Sequence, residues 1–98
     1  MNKTQQGWDE LTDILLNIQD KKSLNQFLEF LLTTEEKSDV ITRFLITKAL
    51  LSNVQTQREI AKDLKVSIAK ITRGSNELKR TNQRFLTELR GFLRPNKT

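Results

Sequence analysis

Apolar residues recur at spacings of three and four almost throughout this chain, and no stretch alternates with the period of two that a half-buried strand requires. The pattern predicts an all-α protein of six helices. The first runs from about Trp8 to Gln19, with Leu11, Ile14, Leu15 and Ile18 on one stripe. A short second helix follows Ser23 as its N-cap and carries Leu24, Phe27, Leu28, Leu31 and Leu32. Thr33 with Glu36 has the spacing of a capping box, so a third helix starts there and reaches about Ser52. Its apolar positions, Val40, Ile41, Phe44, Leu45, Ile46, Ala49, Leu50 and Leu51, wrap most of its circumference. A helix of that kind is either central to the fold or covered by a partner.

Two shorter helices come next. Thr56 caps a segment with Glu59 three residues on, and Ile60 and Leu64 form its inner side. Ser67 caps another, with Ile68, Ile71 and Leu78 turned inward. Lys65, Val66 and Ser67 join them, which is helix-turn-helix spacing, and the whole motif covers about residues 56–79. Ala61 is small where the two helices must cross. Lys65 stands where glycine is common, so the turn either avoids a left-handed conformation or tolerates some strain. The last helix starts near Thr81 or Asn82 and uses Phe85, Leu86, Leu89, Phe92 and Leu93. Pro95 stops it, and the tail at about 95–98 is expected to be disordered.

Length and composition narrow the class. Ninety-eight residues, 36% of them hydrophobic, suit one small domain over 1–98 whose thin core gains from burial against a second copy. No apolar run reaches the ~18 residues of a membrane span, and the polar start resembles no targeting segment, so a cytoplasmic protein is expected. Cysteine and histidine are both absent. That removes disulfides, thiolate nucleophiles, Cys/His metal sites and the usual acid-base side chain, so neither an enzyme nor a metal site is expected. Charge is unevenly spread. Residues 1–53 carry six Lys/Arg against eight Asp/Glu, whereas residues 54–98 carry eleven against four. The second half is the one suited to a polyanion. On the second helix of the pair, Ile68, Ala69, Lys70 and Thr72 can offer methyls, a hydroxyl and charge to a major groove, and Gln57 and Arg58 can reach the neighbouring backbone and bases.

One stretch is more specific. Gly74 interrupts KITRGSNELK, where a helix-interior glycine costs about 1 kcal/mol relative to alanine. The words QRE at 57–59, IA-x-ITRGSN at 68–76 and LK at 78–79 resemble the bacterial trp repressors, and LLT at 31–33, Glu35–Glu36, Thr42–Arg43 and Leu50–Leu51 extend the resemblance over about residues 28–80. The resemblance implies an intertwined homodimer of six helices per chain. It implies operator double-stranded DNA as partner and L-tryptophan as corepressor. The indole would lie between two arginines, Arg43 on the long central helix and Arg73 on the partner subunit's recognition helix. Arg73 would pair with the ligand carboxylate, helped by the Thr33 hydroxyl, and the carbonyls of Phe30 and Leu32 would receive the ammonium. Gly74 would be bare because the ligand lies against the helix.

Three positions depart from the family pattern. Glu77 replaces a small residue beside the ligand ammonium, where it would pair with that group or crowd the site. Ala61 replaces a DNA-reaching lysine, and Lys70 replaces a threonine. Two other functions remain open: a relative that binds DNA but no longer responds to tryptophan, and a helical adaptor whose basic half meets RNA or an acidic protein. Trp8 reads as a core or dimer anchor rather than a ligand mimic. Lys79, Arg80 and Arg84 read equally as phosphate contacts or as a solvated face.

Overall fold

The computed structural model describes residues 2–93, so the expected stop at Pro95 and the tail behind it lie outside the described residues. Among those residues the chain is helical without strands: α1 (Lys3–Asn17), α2 (Lys21–Leu31), α3 (Thr34–Ser52), α4 (Gln57–Leu64), α5 (Ile68–Arg80) and α6 (Gln83–Phe92). None of these helices is long and apolar enough to cross a membrane. The chain divides into two compact units, Met1–Lys37 and Ser38–Thr98.

In the first unit the helix ends depart from the sequence reading, and capping explains both departures. Helix α1 starts well before Trp8 because the Asn2 side chain accepts the Gln5 backbone N–H at 2.7 Å. Helix α2 is capped by Asp20 rather than Ser23. The Asp20 carboxylate accepts the Ser23 N–H at 2.8 Å, which leaves Ser23 inside the helix. That backbone bond, with a second from the Ser23 side chain, holds the Asp20 carboxyl below its ordinary pKa. Its contribution to stability is therefore present above the unfolded carboxylate range and is lost as pH falls through the lowered value. The capping box at Thr33 is present in both directions. Thr33 N–H donates to Glu36 Oε1 at 2.9 Å, and Glu36 N–H donates to Thr33 Oγ1 at 3.1 Å. Lys37 and Glu29 form an ion pair beside it.

Neither α1 nor α2 contains a buried residue. Leu11, Leu15, Leu24, Phe27 and Leu28 are half-buried, whereas Trp8, Ile14, Leu16, Phe30 and Leu31 are exposed. Trp8 is 62% exposed, so it anchors no core within this chain. Among the described residues nothing covers those exposed apolar side chains.

The second unit holds the core. Ile46 of α3, Ile60 and Ala61 of α4 and Ile71 of α5 are buried together, with Ala49, Leu50, Leu64 and Val66 packed around them. Ile60 and Ile71 are closed off almost completely, which makes them the wedge that fixes how α4 and α5 cross. Ala61 leaves room for that crossing. The α4 capping box forms as expected, Thr56 N–H donating to Glu59 Oε1 at 2.8 Å and Glu59 N–H to Thr56 Oγ1 at 3.1 Å. Ser67 caps α5 through the Lys70 N–H at 3.2 Å. On α6, Leu86 is buried, while Phe85 and Phe92 are exposed. On α3 only Ile46 is buried, and Val40, Ile41, Phe44 and Leu45 remain exposed.

The turn between α4 and α5 resolves the question posed by Lys65. Its backbone is left-handed, with φ 57° and ψ 46°. The Lys65 N–H donates to Lys62 O at 3.3 Å and the Val66 N–H to Ala61 O at 3.0 Å, a paired closure of the helix end. Val66 completes it by packing on the core. The turn therefore tolerates strain rather than avoiding the left-handed region. Because a side chain there costs about 1–2 kcal/mol, partly offset by glycine's greater freedom when unfolded, Lys65→Gly is expected to stabilise the chain by about 0.5–1 kcal/mol. Chemical denaturation of the two proteins measures this, and a destabilised variant would contradict it.

Candidate ligand pocket and nucleic-acid face

Helix α5 presents three faces, each fixed by spacing along one helix. Ile71 is fully buried in the core, whereas Leu78, expected inward with it, is half-buried and lines the pocket described next. Lys70, Arg73, Gly74, Glu77 and Thr81 at its end line a pocket. Ile68, Ala69 and Thr72 are exposed on the remaining side. Ile68 was expected to point inward, yet it is 45% exposed. It stands in the first turn of α5, beside exposed Ala69 and one turn before exposed Thr72, which fits the other reading, in which it is offered to a groove.

The pocket, about 530 Å³, falls in the ~300–1,000 Å³ range of small-molecule sites. One wall is α5. The opposite wall is α3, with Asp39, Thr42, Arg43, Ile46 and Thr47, and Leu89 of α6 closes part of the rim. The lining combines an apolar floor with three cations and two carboxylates. Arg43, Arg73, Gly74 and Glu77, proposed from sequence as ligand contacts, thus share one cavity. Both arginines come from the same chain, whereas the resemblance placed them on two subunits. Phe30, Leu32 and Thr33 stand at the α2–α3 junction in the first unit, where Phe30 is 86% exposed and Leu32 half-buried.

Among the described residues, Arg43 and Arg73 make no ion pair, which leaves both guanidinium planes free for a ligand. Glu77 is held at 3.1 Å by Arg80, one turn ahead on α5. Both side chains are about 70% exposed, so that pair contributes only about 0–1 kcal/mol and exchanges readily for another cation. Thr47 and Thr81 spend their hydroxyls on backbone, donating to Arg43 O at 2.9 Å and Glu77 O at 2.8 Å. They shape the pocket more than they would recognise a ligand.

Gly74 has a packing reason that the sequence did not show. A Cβ at this position would stand 3.0 Å from Ile46 Cγ2 and 3.4 Å from Leu50 Cδ1. Helix α5 therefore approaches α3 too closely for a side chain, and the same bare turn also opens into the pocket. Ile46 is buried and β-branched, so it yields little. Overpacking costs about 1–3 kcal/mol against about 1 kcal/mol gained in helix propensity, so Gly74→Ala is expected to lower stability by about 1 kcal/mol. Its midpoint of thermal unfolding should drop by several degrees. An unchanged or raised midpoint would show that the contact relaxes freely.

The remaining sequence candidates form a polar surface on the helix pair. Gln57 and Arg58 occupy the first turn of α4, exposed, near the exposed start of α5. Thr72 Oγ1 and Gln57 Oε1, 3.3 Å apart, tie the two helices together through a hydrogen bond donated by the hydroxyl. Lys70 belongs to the pocket stripe as well as to this surface. Of the pocket residues not proposed from sequence as ligand contacts, Asp39, Thr42, Ile46 and Thr47 lie within about one turn of Arg43, and Leu78, Thr81 and Leu89 lie on α5, at its end and on α6. For those near Arg43, that spacing was the signal available to find them.

Comparison with known proteins decides the family. Residues 6–92 match the family described as Trp repressor protein. The chain belongs to the Trp repressor family. A Trp operon repressor homolog of Chlamydia caviae is 40% identical over 88 residues, covering 90% of this chain and 87% of its own. One from Chlamydia trachomatis serovar D is 40% identical over 84 residues, covering 86% and 89%. One from Vibrio vulnificus is 38% identical over 72 residues, covering 74% and 71%. The family match extends on both sides of residues 28–80, where the resemblance was legible word by word, and takes in most of α1 and all of α6. In this Trp repressor family member the helix pair, the basic half and the pocket between α3 and α5 are the parts with chemistry to offer.

Proposed function

We propose that this protein is a DNA-binding transcriptional repressor that takes L-tryptophan as corepressor and binds operator DNA as a homodimer in the cytoplasm. The observation that carries the ligand reading is the pocket that brings Arg43 and Arg73 together over an apolar floor. An indole between two guanidinium planes gains about 1–2 kcal/mol per partly desolvated contact. Arg73 pairs in addition with the ligand carboxylate. The resemblance alone adds Thr33, Phe30 and Leu32 as head-group contacts.

DNA binding rests on the exposed start of α5, on Gln57 and Arg58, and on the excess of basic residues after position 53. The homodimer is supported by the bare apolar residues of α1, α2, α3 and α6, which a second copy would cover. The mechanism is a population shift. Helices α4 and α5 are short and hold to α3 through one small cluster, so the pair moves easily until a ligand wedges into the pocket on α3. Filling it fixes both recognition helices at a spacing near one turn of DNA, ~34 Å. Titration calorimetry with L-tryptophan, against L-phenylalanine and L-leucine, tests the ligand reading. Saturable binding of tryptophan alone supports it, and heats no different from buffer dilution refute it.

A further inference from the structure

We propose that Lys62 and Lys65 form a phosphate track along α4, by which this chain grips one DNA strand beside the groove that receives α5. The inference rests on the DNA-binding reading of the helix pair. It starts from a strained residue. Lys65 holds a left-handed backbone, φ 57°, in a turn where glycine would sit without strain. Its side chain is exposed and makes no ion pair among the described residues, so folding gives no reason for a lysine there. Backbone strain of this kind persists where the residue serves something other than stability.

The second observation is spacing. Arg58, Lys62 and Lys65 follow one another at intervals of four and three, which sets them in one row along α4 and into the turn. All three are exposed, while Ile60, Ala61 and Leu64 pack in or against the core. Lys62, like Lys65, has no ion-pair partner among the described residues. Of the acidic residues on α4, Glu59 spends its carboxylate on the Thr56 N–H, and Asp63 lies ~100° round the helix from Lys62. The row begins in the first turn of α4 and ends two positions before the Ser67 cap, just ahead of exposed Ile68 and Ala69. A strand running past the first turn of α5 therefore meets positive charge from α4 as well. Lysine, a flexible point charge, suits phosphate oxygens and fixes position without reading a base.

The test measures binding to a labelled palindromic trp-operator duplex and to a random duplex, with L-tryptophan present, from about 50 to 200 mM salt. The parent is compared with Lys62→Gln, Lys65→Gln, Lys65→Gly and Lys22→Gln. Lys22, an exposed lysine of α2, removes the same charge from outside the row. Each row variant is expected to flatten the slope of log affinity against log salt by about 0.9 per subunit. Both duplexes should weaken alike, about fivefold per subunit at about 150 mM salt. Lys65→Gly separates charge from strain, since it should fold more stably and still bind DNA as weakly as Lys65→Gln. Lys22→Gln is expected to leave the slope as it was. Unchanged slopes in the row variants, or an equal flattening in Lys22→Gln, would overturn the assignment. A loss confined to the operator would overturn it too, because the lysines would then be base contacts. These outcomes leave DNA binding by the parent in place and sink this inference alone. A parent that binds neither duplex at about 50 mM salt sinks the DNA-binding reading as well.

Discussion

Arg73→Ala is expected to abolish the tryptophan response while leaving the fold intact. Arg73 lines the pocket, is exposed, and makes no ion pair among the described residues, so its removal breaks no internal contact that holds α5 in place. In the proposed complex it does two things at once, stacking on the indole and pairing with the carboxylate. Losing a cation–π contact of about 1–2 kcal/mol and a charge-assisted hydrogen bond of about 1.5–3 kcal/mol weakens binding by about seventyfold or more. Arg43→Ala removes only the stacking and should cost about tenfold. Calorimetry on the two variants separates these outcomes. Equal small losses would mean that Arg73 does not reach the ligand carboxylate. An unchanged affinity in both would move the ligand out of this pocket.

Ile71→Ala is expected to be the most destabilising single change in the second unit. Ile71 has no exposed surface, and it is the α5 member of the cluster with Ile46, Ile60 and Ala61. Truncating a fully buried isoleucine costs about 2–5 kcal/mol through lost transfer energy and the cavity left behind. Against a total of about 5–15 kcal/mol, that removes a large part of the stability, and a domain of this size should lose 10 °C or more in its unfolding midpoint. Ile71→Val, which deletes one methyl group, should cost about 0.5–1.5 kcal/mol. Differential scanning calorimetry at matched protein concentration tests the pair. A shift below a few degrees for Ile71→Ala would mean that the cluster does not hold α4 and α5 to α3.

Much of this was legible in the sequence because the signals were local. The capping boxes at Thr33 and Thr56 depend on residues three apart, and both occur as read. The helix pair was legible for the same reason, since Ile60, Leu64, Val66 and Ile71 form a pattern short enough to see. The helix starts at Asn2 and Asp20 are less legible, because Ser23 is itself a good cap residue and Asn2 stands well before the first apolar position. Ile68 reads both as an inner residue and as part of the exposed side of α5, and its 45% exposure favours the second.

Gly74 shows where sequence reading stops. Its closeness to Ile46 is a contact between helices twenty-eight positions apart in the chain, which no local pattern encodes. The left-handed Lys65 was undecidable for a different reason. A non-glycine residue in that conformation is uncommon, and only the two backbone bonds that close α4 make it stable here. Arg43, Arg73, Gly74 and Glu77 of the expected ligand contacts line one cavity, and Asp39, one turn before Arg43, joins them there.

The central claim is that a ligand in this pocket controls DNA binding, and one measurement reaches it directly. The protein is titrated onto a labelled palindromic trp-operator duplex and onto a random duplex at about 150 mM salt, each with and without L-tryptophan, because nonspecific association weakens steeply at that ionic strength. Tryptophan is expected to tighten operator binding tenfold or more and to change binding to the random duplex little. By linkage, the operator must tighten tryptophan binding by the same factor. Specific operator binding that is identical with and without tryptophan would contradict the corepressor mechanism and leave a DNA-binding member of the family under some other control.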